Sequence, residues 1–254
     1  MVVLFSFACV TFAAQGQAQS DDAPSVTPYR PSVSTPANLS APGWLEAEVG
    51  GVRSRNGDVA RQDSVPYTLK LAFSPDWGVR VGGNAWIRDT DSEGNTHRGA
   101  GDTAVVLKRR FAVDDASAFG LEAGINFPTS KAGLGSSKTD YSINGIYSAD
   151  LGDFHTDINL FATRFGAVDS GVGRSQTGWA ASLSRQLNEQ WGVVGEFSGT
   201  RQRGASSTSQ FLAAGSYNLS KAITLDLGVS RTLHPVSSNW SLFSGLTMLV
   251  ARLF

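Results

Sequence analysis

From Trp44 onward, apolar residues alternate with polar ones in runs of about ten residues at a time. In VPYTLKLAF (65–73), Val65, Tyr67, Leu69 and Leu71 share one face, and Thr68 and Lys70 share the other. Between 77 and 88, Trp77, Val79, Val81, Ala85 and Ile87 oppose Arg80, Asn84, Trp86 and Arg88. In 119–127, Phe119, Leu121, Ala123, Ile125 and Phe127 oppose Glu122 and Asn126, and in 222–231, Ile223, Leu225, Leu227 and Val229 oppose Thr224, Asp226 and Ser230. Successive side chains of a strand point to opposite faces, so period two marks a strand with one apolar face. The whole chain read this way predicts about twelve strands. Their expected spans are 44–53, 64–74, 77–88, 102–111, 117–128, 139–151, 154–165, 176–187, 191–201, 208–219, 222–232 and 240–254.

The links between these strands alternate in length. Those around Pro75-Asp76, Asp114-Asp115, Gly152-Asp153, Asn188-Glu189 and Ser220-Lys221 are short, and the intervening ones are longer and rich in Gly, Ser, Asp and Arg. A soluble sandwich has no reason to keep this rhythm. A transmembrane β-barrel does, with short periplasmic turns and longer outer loops. Aromatic residues gather where the apolar face would meet two membrane interfaces. Phe73, Trp77, Phe111, Phe119, Phe154, Trp191, Tyr217 and Phe254 lie at short-turn ends, and Tyr67, Phe127, Tyr141, Trp179, Phe211 and Trp240 at long-loop ends. Tyr147 and Phe197 fall nearer the middle. Arginines on the apolar face, Arg109, Arg185 and Arg252 at one end and Arg164 and Arg231 at the other, also avoid the midplane. There an arginine costs about 2–4 kcal/mol, against about 0–1 at the interfaces. The expected fold is therefore all-β, an antiparallel transmembrane barrel with both termini on the periplasmic side of a bacterial outer membrane.

Composition narrows the function. Lys plus Arg (21) nearly cancels Asp plus Glu (22), which gives no support for nucleic-acid binding. Cys9 is the only cysteine and lies in an N-terminal apolar run, and His97, His155 and His234 are scattered, so neither a metal site nor another cofactor is expected. Residues 2–14, VVLFSFACVTFAA, have the length of a signal-peptide core and are too short to span a membrane as a helix. The expected organisation is a signal peptide over 1–18, a Pro-rich leader over 19–42 and a barrel over 43–254. The leader carries five of the nine prolines. Such a segment is extended, either as a periplasmic tether or as a plug.

Several short elements carry a family likeness. Gly101-Asp102 leads into a strand ending Leu107-Lys108-Arg109-Arg110-Phe111; the next strand ends Asn126-Phe127-Pro128-Thr129-Ser130; and Gly245-Leu246-Thr247 precedes the terminal Phe254. In these elements residues 43–254 resemble the outer-membrane "transporter" family associated with the meta-pathway of phenol degradation. Ser130 stands where that family usually has Gly. The resemblance implies an outer-membrane barrel that passes aromatic or other hydrophobic small molecules. The terminal aromatic looks like the mark read by outer-membrane assembly machinery, although Arg252 interrupts the usual apolar pattern.

The inward face is where selection would occur. On this register the solute path is expected to expose Lys70 on the second strand, Arg80, Trp86 and Arg88 on the third, and Lys108 and Arg110 on the fourth. Glu122, Asp140, Asp157 and Phe161 follow on the next three, with Glu196 and Asp226 further on. Glu46, Glu48, Asn84, Asp102, Asn126, Asn144, Asn159 and Phe243 are placed inward as well. The reading is a narrow channel for small, hydrophobic or aromatic molecules, with lipid, lipopolysaccharide and the assembly machinery as its other partners. A barrel that anchors or adheres without transport is the first alternative. A lipid-modifying hydrolase is the second; it is disfavoured because no histidine sits beside a partnered serine in a strand.

Overall fold

A computed structural model describes residues 23–56, 60–130, 133–234 and 239–254. The expected signal peptide and the first four leader residues lie outside the described residues. Thirteen strands form one antiparallel sheet: β1 (Trp44–Asn56), β2 (Ala60–Ala72), β3 (Trp77–Thr90), β4 (Thr96–Gly99), β5 (Thr103–Ala112), β6 (Ser117–Phe127), β7 (Asp140–Leu151), β8 (Phe154–Arg164), β9 (Ser175–Gln186), β10 (Trp191–Gln202), β11 (Thr208–Ser220), β12 (Ile223–His234) and β13 (Trp240–Arg252). β1 pairs with both β2 and β13, which closes the sheet. β3 pairs directly with β5 over Trp77–Gly83, and the short β4 folds back on the long-loop end of β3. The wall is thus a twelve-stranded barrel, and β4 is a ribbon standing on its rim.

Side chains build the short turns. Asp114 Oδ1 accepts hydrogen bonds from Ala116 N and Ser117 Oγ, and Asn188 Oδ1 accepts from Gln190 N and Trp191 N. Such Asx contacts imitate a backbone turn. Gly152 takes a φ of 66°, which the two-residue link between β7 and β8 requires. At the long-loop end, one expectation needs correcting. The link between β1 and β2 is short, because both strands run on until Asn56 pairs with Ala60.

Burial is inverted relative to a water-soluble protein. The largest fully buried side chains include Glu46, Glu196 and Asn159, whereas Leu160 is 68% exposed, Leu227 60% and Ile143 60%. Exposed apolar area on this scale marks an interaction surface, and here it girdles the whole wall. Its ends carry the aromatic residues. Phe119 packs on Tyr147 at 5.1 Å and Trp191 on Tyr217 at 4.7 Å between ring centroids. Phe197 packs on Phe211 at 4.9 Å, so both mid-strand aromatics stack on a partner across the ladder. The Arg109 guanidinium lies over Trp77 and Phe111, and that of Arg185 over Phe154, which holds these outward cations in the aromatic belt. No helix among the described residues is long and apolar enough to cross a membrane.

A β-bulge changes one face. Pro66 pairs with Asn84, but Val65 pairs with Trp86, so Ala85 is the extra residue. One inserted residue reverses the alternation beyond it. Ile87 turns inward and is 5% exposed, while Trp86 joins Val65 on the outer face and is 40% exposed. Arg88 pairs with Asp63, which forms ion pairs with Arg53 and Arg61 near the long-loop rim. Trp86 and Arg88, expected in the lumen, therefore lie on the outside.

Candidate functional site: the lumen and the leader within it

The barrel interior is filled from the short-turn end by residues 23–42. Val26 N donates to Lys221 O in the β11–β12 turn, and Pro42 bridges to Ala72 where β1 begins. Between these points the leader rises into the lumen and folds back on itself. Thr27 Oγ1 donates to Leu39 O, and Tyr29 Oη to Asn38 O. Prolines at 28, 31 and 36 prevent a regular ladder. The remaining amide N–H groups still require acceptors once buried.

The wall supplies those acceptors. Thr27 N donates to Glu46 and Tyr29 N to Glu48, at 3.0 and 2.7 Å. Glu196 takes Val33 N at 3.0 Å, Ser34 N at 2.8 Å and Ser34 Oγ at 2.6 Å. Asn159 Oδ1 accepts from Thr35 N, and Ser148 Oγ accepts from Ala37 N. The acceptors come from β1, β10, β8 and β7, so the leader touches walls all around the barrel.

Cations complete the network. Lys70 Nζ lies between Glu46 and Glu48 and donates to Thr27 O. Lys108 Nζ donates to Pro36 O and to Tyr29 Oη and lies 3.5 Å from Glu122, which also pairs with Arg80 at 3.1 Å. Arg110 Nε donates to Asn38 Oδ1. From the leader side, Arg30 forms a two-point contact with Asp226 and donates to Ser244 O. A Cβ on Gly50 or Gly245 would sit 2.4 Å from this guanidinium, so glycine at both positions lets it lie flat on the wall. Replacing Lys70 by Met leaves two buried carboxylates without their cation. Breaking a buried pair this way costs about 3–5 kcal/mol, and urea titration of the folded barrel is expected to show that loss.

Ten of the twelve residues expected along the solute path lie on the inner face. Lys70, Arg80, Lys108, Arg110, Glu122, Glu196 and Asp226 belong to the network just described. Asp157 accepts from Ser148 Oγ and faces His155 Nε2 at 3.2 Å, and the Asp150 carboxylate holds the other ring nitrogen at 2.6 Å. Phe161 and Asp140 sit apart from these. Phe161 covers Gly178, where a Cβ would come within 2.3 Å of its ring. Tyr29, Arg30, Ser34 and Thr35 were missed as individual contacts. Their one sequence cue is the Pro28-Tyr29-Arg30-Pro31 run, which sets an aromatic and a cation between prolines.

Asp140 belongs to a second cluster at the long-loop end. Asp102, between β4 and β5, accepts from Ser130 N, Ser136 N and Asn126 Nδ2, and the Ser136 hydroxyl lies between the two carboxylates, 3.0 Å from Asp102 and 2.6 Å from Asp140, with its one proton to share. These bonds pin the β6–β7 loop to the mouth. Burial raises the Asp102 pKa, but the donors from Ser130 and Ser136 outweigh it and hold the carboxyl below its usual range. A lowered folded-state pKa means that the anchor is fully present above the unfolded value, near 3.9, and is lost as pH falls through the lower folded value. Limited proteolysis over a descending pH series should therefore spare this loop at pH 7 and cut it increasingly as pH falls below the unfolded value, while Asp102→Ala should be cut throughout.

Two cavities flank the leader. One, of about 1070 Å³, lies on the short-turn side between the leader and β8–β12. The other, of about 420 Å³, lies between Tyr29–Val33 and the wall residues Glu48, Arg80, Glu122, Asn144 and Phe161. Tyr29, Arg30, Pro31 and Ser32 line both, so the top of the leader is the partition between them. Among the described residues no group of three His, Cys, Asp or Glu side chains is placed to hold a metal ion.

The chain matches no protein-family model and no curated protein. Among solved structures it is similar to an outer membrane channel from Pseudomonas putida F1, at 12% identity and a TM-score of 0.66 over 84% of this chain and 98% of that one. The NanC porin follows with 12% identity and a TM-score of 0.62, over 80% of this chain and 100% of that one. The CymD monoaromatic hydrocarbon channel has 9% identity and a TM-score of 0.54, over 84% of this chain and 90% of that one. At such identities the likeness concerns the fold, and the fold is that of outer-membrane β-barrel channels.

Proposed function

We propose that this chain is an outer-membrane channel for small molecules, closed in the observed state by residues 23–42. The observation that carries this reading is the partition: the same four leader residues line both cavities, and on either side of them the lumen is open. Displacement of the leader joins the two spaces into one path. The apolar belt contacts lipid and lipopolysaccharide, the short turns and both termini face the periplasm, and Phe254 presents the assembly mark. Aromatic or hydrophobic solutes are the cargo that best fits. The resemblance to the phenol meta-pathway family supports that choice, and so does the barrel shared with a channel for monoaromatic hydrocarbons.

Glu196 is the place to test gating. Its carboxylate receives three donors from Val33 and Ser34. Glutamine removes the charge and turns one acceptor into a donor that faces donors. Hydrogen bonds to charged groups contribute about 1.5–3 kcal/mol each, so Glu196→Gln should raise the open fraction by about tenfold or more. Proteoliposome swelling in a small neutral solute measures this. Identical rates for the wild type, the variant and empty liposomes would argue for a closed structural barrel.

A further inference from the structure

The leader side chain set deepest among the wall cations is a phenol. Tyr29 is 8% exposed. Its ring centroid lies 4.1 Å from Lys70 Nζ, 4.3 Å from Lys108 Nζ and 6.0 Å from the Arg80 guanidinium. Its oxygen accepts from Lys108 Nζ at 3.1 Å and donates to Asn38 O at 2.8 Å. The three cations stand on the adjacent strands β2, β3 and β5, with Lys70 and Arg80 directly paired across the ladder. A ring face attracts a desolvated cation, and an alkyl side chain of the same size cannot. We propose that this part of the wall is a binding socket for a neutral phenolic solute, and that Tyr29 is its built-in occupant. A phenol arriving from outside competes for the socket and releases the leader.

Three features define the ligand. The flat ring satisfies the ammonium groups, and the oxygen satisfies Lys108. Charge neutrality follows from the neighbours: Glu46, Glu48 and Glu122 already pair with the lysines and the arginine, so an added anion would be repelled. Access comes from the outer cavity, which reaches Tyr29, Arg80 and Glu122. This inference rests on the plugged-channel reading, and it names what unlocks the plug.

The test uses 4-methylphenol, the side-chain analogue of tyrosine, with toluene and 4-methylcyclohexanol as analogues lacking the oxygen or the ring face. The full-length Tyr29→Gly protein is titrated calorimetrically in detergent, with heat-modifiable gel mobility as the check on folding. It should bind 4-methylphenol at least tenfold more tightly than either analogue and at least tenfold more tightly than the wild type does. Adding Lys108→Met should abolish the preference. In the wild type, millimolar 4-methylphenol should speed proteolytic cleavage within 23–42 severalfold, and toluene should not. Equal binding of the three compounds, or none, with no effect on leader cleavage, overturns the proposal. Bilayer conductance keeps the two readings apart. Conduction by a leader-deleted barrel without phenol selectivity defeats the socket alone, and phenol selectivity without any conduction defeats the channel alone.

Discussion

Deleting residues 23–41 should convert a nearly silent barrel into a steadily conducting one. The cavities of about 1070 and 420 Å³ are separated by leader residues, and their removal leaves a continuous lumen. The deletion also changes what that lumen attracts. In the intact chain Glu46, Glu48 and Glu196 accept leader amides and Asp226 holds Arg30. Once freed, these carboxylates join Glu122 and Asp157 against Lys70, Arg80, Lys108 and Arg110. Rings of carboxylates favour cations. Planar-bilayer recordings should show steady open levels for the deleted form, with a reversal potential of the cation-selective sign in a salt gradient, and only brief openings for the intact chain. The same low conductance from both forms, with heat-modifiable mobility intact, would mean that the wall rather than the leader closes the barrel.

A single arginine on the outer face should separate membrane depth from simple exposure. Leu227 and Leu233 lie on the same face of β12, and both are largely exposed. Leu227 sits near mid-strand and Leu233 close to the long-loop end. Leu227→Arg is expected to destabilise the barrel in liposomes by about 2–4 kcal/mol, and Leu233→Arg by about 0–1. The difference arises because the second guanidinium reaches headgroups. Equilibrium urea titration into phosphatidylcholine vesicles measures both. Equal costs would remove the argument that this belt meets a hydrocarbon interior.

Much of this architecture was legible in the residues, because period two is a local rule. Leu225, Leu227 and Val229 face out and Asp226 and Ser230 are buried, as their alternation dictates. The rule failed where geometry departed from it. Nothing in the alternation of 77–88 marks Ala85 as an extra residue, and the bulge it makes opposite Val65 and Pro66 carried Trp86 and Arg88 to the outer side. β4 was missed because its four residues, Thr96–Gly99, have no apolar face to bury. The leader was ambiguous for a different reason. A Pro-rich extended segment reads alike as a tether or as a plug, and its lumen contacts are far apart in sequence. Ser34 meets Glu196 across 162 positions. The wall carboxylates were visible in the sequence, but the backbone amides they serve were not.

The inside-out arrangement of the wall can be observed directly by a nitroxide scan of β12. Single-cysteine variants at 224–230, in a background lacking Cys9, carry the spin label one position at a time in reconstituted vesicles. Labels at 225, 227 and 229 should collide with dissolved oxygen, which concentrates in lipid. Labels at 224, 226, 228 and 230 should be shielded from oxygen, at most reaching a polar nickel complex through the lumen. Alternation in the opposite phase, or its absence, would contradict the barrel on which the channel, its plug and its socket all depend.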